Sequence, residues 1–208
     1  MTPNTHLIAS LLFVAVAAAQ TPPLRRGVSV QMPVTTNAVA VPDADMADSL
    51  IVAVTYRGAI FLEVTRVTPA QLSGKLKSEL DGHPGKSVYV KGDERTPYST
   101  IAEVLDALRT AQVNATTLVT EQRDPTDASY VQPKGLEVAL LPPPDAAQSI
   151  ILRVGNGQTS DAELKQQAQR DKLVVLEVNE NSTFGEVVHA IDVCRAAGAK
   201  VFLATPAK

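Results

Sequence analysis

The stretch YSTIAEVLDALRTAQ at residues 98–112 is answered by FGEVVHAIDVCRAAG at residues 184–198, and the fold is read from that correspondence. Each begins on an aromatic residue, Tyr98 or Phe184. Apolar side chains then fall at Ile101, Val104, Leu105 and Leu108 in one, and at Val187, Ala190, Ile191 and Cys194 in the other. That i, i+3, i+4, i+7 spacing is the buried stripe of an α-helix. Each helix is preceded by a run suited to a buried strand, SVYVK at 87–91 or LVVLEV at 173–178, and followed by another, ATTLVT at 115–120 or KVFLAT at 200–205. A strand, helix, strand order makes the two strands of each unit parallel, joined by a right-handed crossover.

The match continues toward the amino terminus. TPAQL at 68–72 and SDAEL at 160–164 each place Thr or Ser at an N-cap and Gln or Glu three residues later, with Pro69 at the first helical position. These are capping boxes, and the helices they start run to about Leu80 and Arg170. Upstream stand SLIVAVT at 49–55 and SIILRVG at 149–155, followed by turn signals at Arg57-Gly58 and Asn156-Gly157. The second is a strong hairpin signal, and AIFLEVT at 59–65 reads as the returning strand of the first. Farther upstream, GVSVQMP at 27–33 and GLEVALLP at 135–142 alternate and end on proline, which reads as an edge strand. Self-similarity over about seventy residues, including caps and turns, indicates a tandem duplication. The fold expected is α+β, with two small tandem domains, each a mixed sheet with two helices. They occupy residues 27–121 and 135–208, with the polar, proline-containing 122–134 as an exposed linker.

Residues 1–26 stand apart. LIASLLFVAVAAA at 7–19 is apolar throughout, but about 13 residues fall short of the roughly 20 that cross a bilayer core as a helix. The run fits the hydrophobic region of a signal peptide, with Ala17-Ala18-Ala19 as the cleavage pattern. The lack of Lys or Arg in MTPNTH, and the Arg25-Arg26 pair just downstream, speak instead for a short uncleaved membrane anchor. Either reading puts the rest of the chain in the cell envelope, periplasmic after cleavage or anchored at the inner membrane facing the periplasm.

Composition narrows the chemistry. A net charge of -3 gives no general attraction for nucleic acid, and four Phe with four Tyr are too few for base-stacking platforms. The single Cys194 closes no internal disulfide and sits on a helical stripe, which marks a buried, inert thiol. His6, His83 and His189 are scattered, with no zinc spacing, no nucleophile elbow, and for His189 no acid at useful spacing. No catalytic residue, metal ligand or cofactor site is therefore expected. Asp93 stands at a strand-to-helix turn, where Asp commonly forms the turn, and Tyr98 and Phe184 read as wedges seating their helices. The two edge strands invite strand addition. Candidate partner contacts are accordingly Asp93, Tyr98, Val30, Met32 and Leu140.

The repeated order, and SVYVKGDERTPYSTIAEVLDALRTAQ at 87–112 above all, resembles the periplasmic domain of the ExbD/TolR biopolymer-transport family. In that family a strand ends in Asp, a Tyr five residues on starts a helix, and a small residue near its end precedes a strand closing on Thr. Asp93, Tyr98, Ala111 and Thr120 hold those places, and Val30-Gln31-Met32-Pro33 resembles the family's Leu-Pro segment after the membrane helix. The resemblance covers residues 27–121 and, more faintly, 135–206. It implies a dimerising subunit of an inner-membrane complex that uses the proton gradient, with peptidoglycan as a further contact for members like TolR. The family's membrane helix carries an Asp essential to proton use, whereas Leu7 to Ala19 holds no ionisable residue. An intramembrane carboxylate is the group that binds and releases a proton, so this chain is not expected to couple protons by itself. The function expected is that of a non-catalytic envelope protein working through energy-transduction subunits or self-association. The alternative is a periplasmic peptidoglycan- or small-ligand-binding module.

Overall fold

The computed structural model describes residues 27–45, 49–83, 85–123, 131–140, 150–155, 159–179 and 181–204. The segment 7–19 and the hairpin signal Asn156-Gly157 lie outside them. The first half contains β1 (Val39–Ala40), a 3-10 turn at Pro42–Asp45, β2 (Leu50–Val54), β3 (Ile60–Leu62), β4 (Thr65–Val67), α1 (Pro69–Gly82), β5 (Val88–Gly92), α2 (Tyr98–Thr110) and β6 (Ala115–Arg123). The second contains β7 (Val131–Ala139), β8 (Ile150–Val154), α3 (Asp161–Arg170), β9 (Leu173–Val178), α4 (Phe184–Ala196) and β10 (Lys200–Leu203). The described residues thus form a mixed α/β protein with four helices on one ten-stranded mixed sheet, ordered β4-β3-β2-β5-β6-β7-β10-β9-β8, with β1 paired to β7 off that path.

The helices start where the side chains predict. Thr68 and Gln71, Ser160 and Glu163, and Thr183 and Glu186 form complete capping boxes, each satisfying amides that a helix terminus leaves unpaired. Strand β5 runs parallel to β2 and β6, and β9 runs parallel to β8 and β10. Alternate strand residues, among them Val52, Val90, Leu118, Val138, Leu152, Leu176 and Val201, join the helical stripes in one core. On the opposite face a smaller cluster seats Ala44, Tyr89 and Val119 with Met32, Val41 and Ile51.

Several expectations are corrected. Strand β7 lies inside the sheet, between β6 and β10, so 135–139 of the expected edge strand is an inner strand. No strand forms at 28–32, where the backbone is held by the turn after β5 instead. Paired strand occupies 122–123 and 131–134 of the expected linker, because β6 and β7 run antiparallel from Ala115↔Ala139 to Arg123↔Val131. The stretch 59–65 is two strands broken at Glu63, whose φ of 58° turns the chain out of the pleat. No returning strand follows β8 among the described residues, and α3 starts at Asp161.

Candidate functional site

The strand-to-helix turns that start at Asp93 and at Asn179 meet each other with the same bonding. The Asp93 amide donates to Val54 O at 2.9 Å and the Asn179 amide to Val154 O at 3.0 Å. The Thr96 amide donates to Asp93 O, and the Ser182 amide to Asn179 O, both at 3.0 Å. Each turn is closed by its first side chain: Arg95 N donates to Asp93 Oδ1 at 3.2 Å, and Asn181 N to Asn179 Oδ1 at 2.9 Å. Short Asp and Asn side chains do this because they reach a backbone amide two residues on. The turns then bond to each other reciprocally. Tyr98 N donates to Ser182 O and Phe184 N to Thr96 O, both at 2.8 Å, with Gly185 N reaching Glu94 O at 2.9 Å. These bonds use amides that the starts of α2 and α4 would otherwise leave open.

Around the first turn the surface is polar and aromatic. The buried Asp93 carboxylate takes Arg95 Nε on Oδ1 and Nη2 on Oδ2, both at 2.8 Å, and the Gln31 amide on Oδ2 at 3.1 Å. The Arg95 hydrogen bonds are the main reason its pKa falls to about 2, with burial opposing them and the Gln31 amide assisting. Gln31 Nε2 donates to Glu94 Oε1 at 2.5 Å, and Glu94 N to Gln31 O at 2.8 Å. The guanidinium groups of Arg57 and Arg95 both stand over the exposed Tyr56 ring, 5.1 and 5.0 Å from its centroid. Two stacked guanidinium groups and an exposed ring suit carboxylates and planar groups of a partner.

Residues 27–41 form a strap that crosses from the first half to the second. Glu121 N donates to Pro33 O at 2.9 Å and Thr35 N to Glu121 O at 3.2 Å, while the Thr35 and Thr120 hydroxyls meet at 2.8 Å. On α4, Asp192 Oδ2 accepts Thr36 N and Oγ1, both at 3.0 Å, and Oδ1 accepts Asn37 N at 2.9 Å. Strand β1 then pairs with β7. A groove of about 330 Å³ remains beside the strap, lined by Thr36, Asn37, Lys165, His189 and Asp192.

Of the sequence-predicted contacts, Asp93 and Tyr98 come together at the junction but are buried, and Leu140 is buried at the end of β7. Among the described residues the Tyr98 hydroxyl has no hydrogen-bond partner, and burial raises its pKa well above the usual phenol value. Met32 packs partly buried on the small cluster, and Val30 is half-buried in the strap. Cys194 is buried, which lifts its pKa to about 11. His189 does have an acid: its Nε2 lies 2.9 Å from Asp161 Oδ2, supplied by the neighbouring helix α3. The Tyr56, Arg57 and Arg95 cluster and the Asp192 latch escaped sequence reasoning, although the Tyr-Arg-Gly turn carried the residue types for the first. Among the described residues no three His, Cys, Asp or Glu side chains gather to hold a metal, and no helix is long and apolar enough to cross a membrane.

The family profile described as ExbD, Biopolymer transport protein ExbD/TolR, matches residues 6–123. The chain belongs to the ExbD/TolR family. The matched part ends on the last residue of β6 and so takes in the strap, the Asp93 turn and the Tyr56 cluster. No curated protein matches the chain.

Proposed function

We propose that the chain is a non-catalytic envelope subunit of the ExbD/TolR type that holds partner proteins, and that its halves are two copies of one unit paired within a single chain. The reciprocal bonding of the 93–97 and 179–183 turns carries this reading. Matching backbone bonds, made in the same order in both turns, are what a duplicated unit facing its own copy produces. The covalent join holds the pair at an effective concentration in the millimolar range. Because Leu7 to Ala19 has no ionisable residue, proton movement falls to other subunits of the complex. The described part of the chain works on the periplasmic side, whether the first residues are cleaved or kept as an anchor. A photocrosslinker placed at Tyr56 of the full chain in cells should yield an adduct with another inner-membrane protein. Crosslinks confined to the chain itself would remove the reading.

The groove beside the strap supports a second reading as a peptidoglycan- or small-ligand-binding module, since Lys165 and His189 offer a cation and an imidazole to an acidic muropeptide. A saturable thermal shift with muropeptides is expected on that reading, and a flat response would remove it.

A further inference from the structure

Strand β8 and strand β2 hold the same place in their halves, yet among the described residues only β2 is covered. The register of Leu50 to Val54 on Val88 to Gly92 is repeated by Ile150 to Val154 on Val174 to Val178. On β2 the backbone groups of Ile51, Ala53 and Thr55 point away from β5 and are met by β3 and its turns. Glu63 N donates to Ile51 O at 2.8 Å, Phe61 stands opposite Ala53, and Thr55 N donates to Ala59 O at 3.0 Å. On β8 the Val154 carbonyl turns toward Asn179, so the groups of Ile151 and Arg153 face outward. Thr159 Oγ1 donates to Arg153 O at 2.7 Å. Among the described residues, the amide and carbonyl of Ile151 and the amide of Arg153 have no partner. The Ile151 side chain is 56% exposed beside these groups, so the edge is open to an incoming strand on that face.

We propose that this edge of β8 takes an extended segment of another protein, largely apolar with one acid at the place of Glu63, as an added antiparallel strand in the position β3 holds on β2. Main-chain bonds would supply affinity and alternate side chains specificity. The chemistry of the segment follows from β3. Apolar residues two apart would continue the rows of Leu152 and Val154, as Ile60 and Leu62 continue those of Val54 and Val52. The Glu63 carboxylate accepts the Ile51 amide at 2.9 Å. An acid at the matching place faces the Ile151 amide, with the Arg153 guanidinium two residues along the same face. That guanidinium meets Glu177 Oε2 at 3.1 Å while its side chain stays 71% exposed. A second copy is the poorer occupant, since its own β8 (IILRV) brings no acid and sets Arg153 against either Ile151 or another Arg153.

The test uses the full chain and a synthetic peptide, AIFLEVTRV, copying residues 59–67. Residue-resolved amide exchange should show Ile151 and Arg153 exchanging freely in the chain alone, and slowing at least about tenfold as the peptide saturates. Ile151→Pro removes an outward amide without touching the β9 ladder and should weaken peptide binding about tenfold or more. Arg153→Gln should weaken binding of AIFLEVTRV but not of AIFLQVTRV. The proposal is overturned if the two amides are already as protected as those of Ile51 and Ala53, which means the chain covers its own edge. It is overturned equally if protection rises with chain concentration, which means self-pairing, or if both variants bind the peptide like the parent.

Discussion

The ring of Phe184, from the second half, lies against Gly92 at the end of β5 in the first. A Cβ built on Gly92 would fall 2.5 Å from Phe184 Cε1 and 3.2 Å from Ile101 Cδ1. The wedge that seats α4 is thus received by the partner half's strand. Gly92→Ala should destabilise the chain by about 1–3 kcal/mol through overpacking. Phe184→Ala should cost roughly 3–5 kcal/mol through the cavity it leaves. Made together, the two changes should cost less than their sum, because the alanine methyl then meets no ring. Urea midpoints for the four forms measure this, and strict additivity would show that the halves do not pack through this contact.

Tyr98 occupies the matching place at the start of α2, but its hydroxyl is buried with no partner among the described residues. The second half solves the same packing problem with Phe184. Tyr98→Phe should therefore leave stability unchanged or raise it by about 1 kcal/mol, since it removes only an unsatisfied polar group. A fall of more than about 1 kcal/mol in chemical denaturation would mean that the hydroxyl has a partner after all.

How far the sequence carries depends on the range of the interaction. The stripes from Ile101 to Leu108 and from Val187 to Cys194, with the capping boxes at Thr68 and Ser160, are local patterns, and α1 to α4 stand where they predict. The antiparallel pairing of β6 with β7 is set between halves, and alternation alone cannot tell an inner strand such as β7 from an edge. The break at Glu63 depends on a backbone turn that the residue type does not announce. The bonds from Thr36 and Asn37 to Asp192 join residues about 155 positions apart, as the His189 contact with Asp161 joins two helices. At the candidate site the turn at Asp93 and the wedge at Tyr98 are legible, while the burial of the Asp93 carboxylate under Arg95 and Gln31 is not.

Asp93 makes the first turn titratable where Asn179 leaves the second neutral. Its folded pKa of about 2 lies below the ordinary 3.8, so the unfolded chain takes up the proton first. The stabilisation is then fully present above about pH 5 and is lost as pH falls through 4 toward 2. It amounts to on the order of 1–2 kcal/mol, reduced because Arg95 is more than half exposed. Asp93→Asn, which copies the second half, should keep the turn but flatten that part of the stability profile. Parallel profiles for parent and variant between pH 2 and 5 would contradict the assignment.

The strap hangs on Asp192, which satisfies the backbone amides of both Thr36 and Asn37. Asp192→Ala leaves those donors without their acceptor and should cost about 1–3 kcal/mol. Loosening should be local first, so limited proteolysis within residues 27–41 is expected to quicken before global stability is lost. Unchanged cleavage in this segment would show that the bonds to Glu121 and the β1 pairing with β7 hold the strap without Asp192.

Helices α2 and α4 end in the same way on different residues. Gln112 N donates to Arg109 O at 2.9 Å and Val113 N to Leu108 O at 3.0 Å; Gly198 N donates to Arg195 O at 2.9 Å and Ala199 N to Cys194 O at 3.2 Å. This double bond pattern requires a left-handed residue just past the helix, and glycine adopts it without a Cβ clash. Gly198 has φ 82°, whereas Gln112 holds φ 65° with a full side chain. Gln112→Gly should therefore stabilise the chain by about 0.5–1 kcal/mol, the relieved backbone strain outweighing the entropy glycine gains when unfolded. Gly198→Gln should destabilise it by a similar amount. Thermal unfolding of both variants separates the two contributions: a lower midpoint for Gln112→Gly would mean that the glutamine side chain makes a contact worth more than the strain.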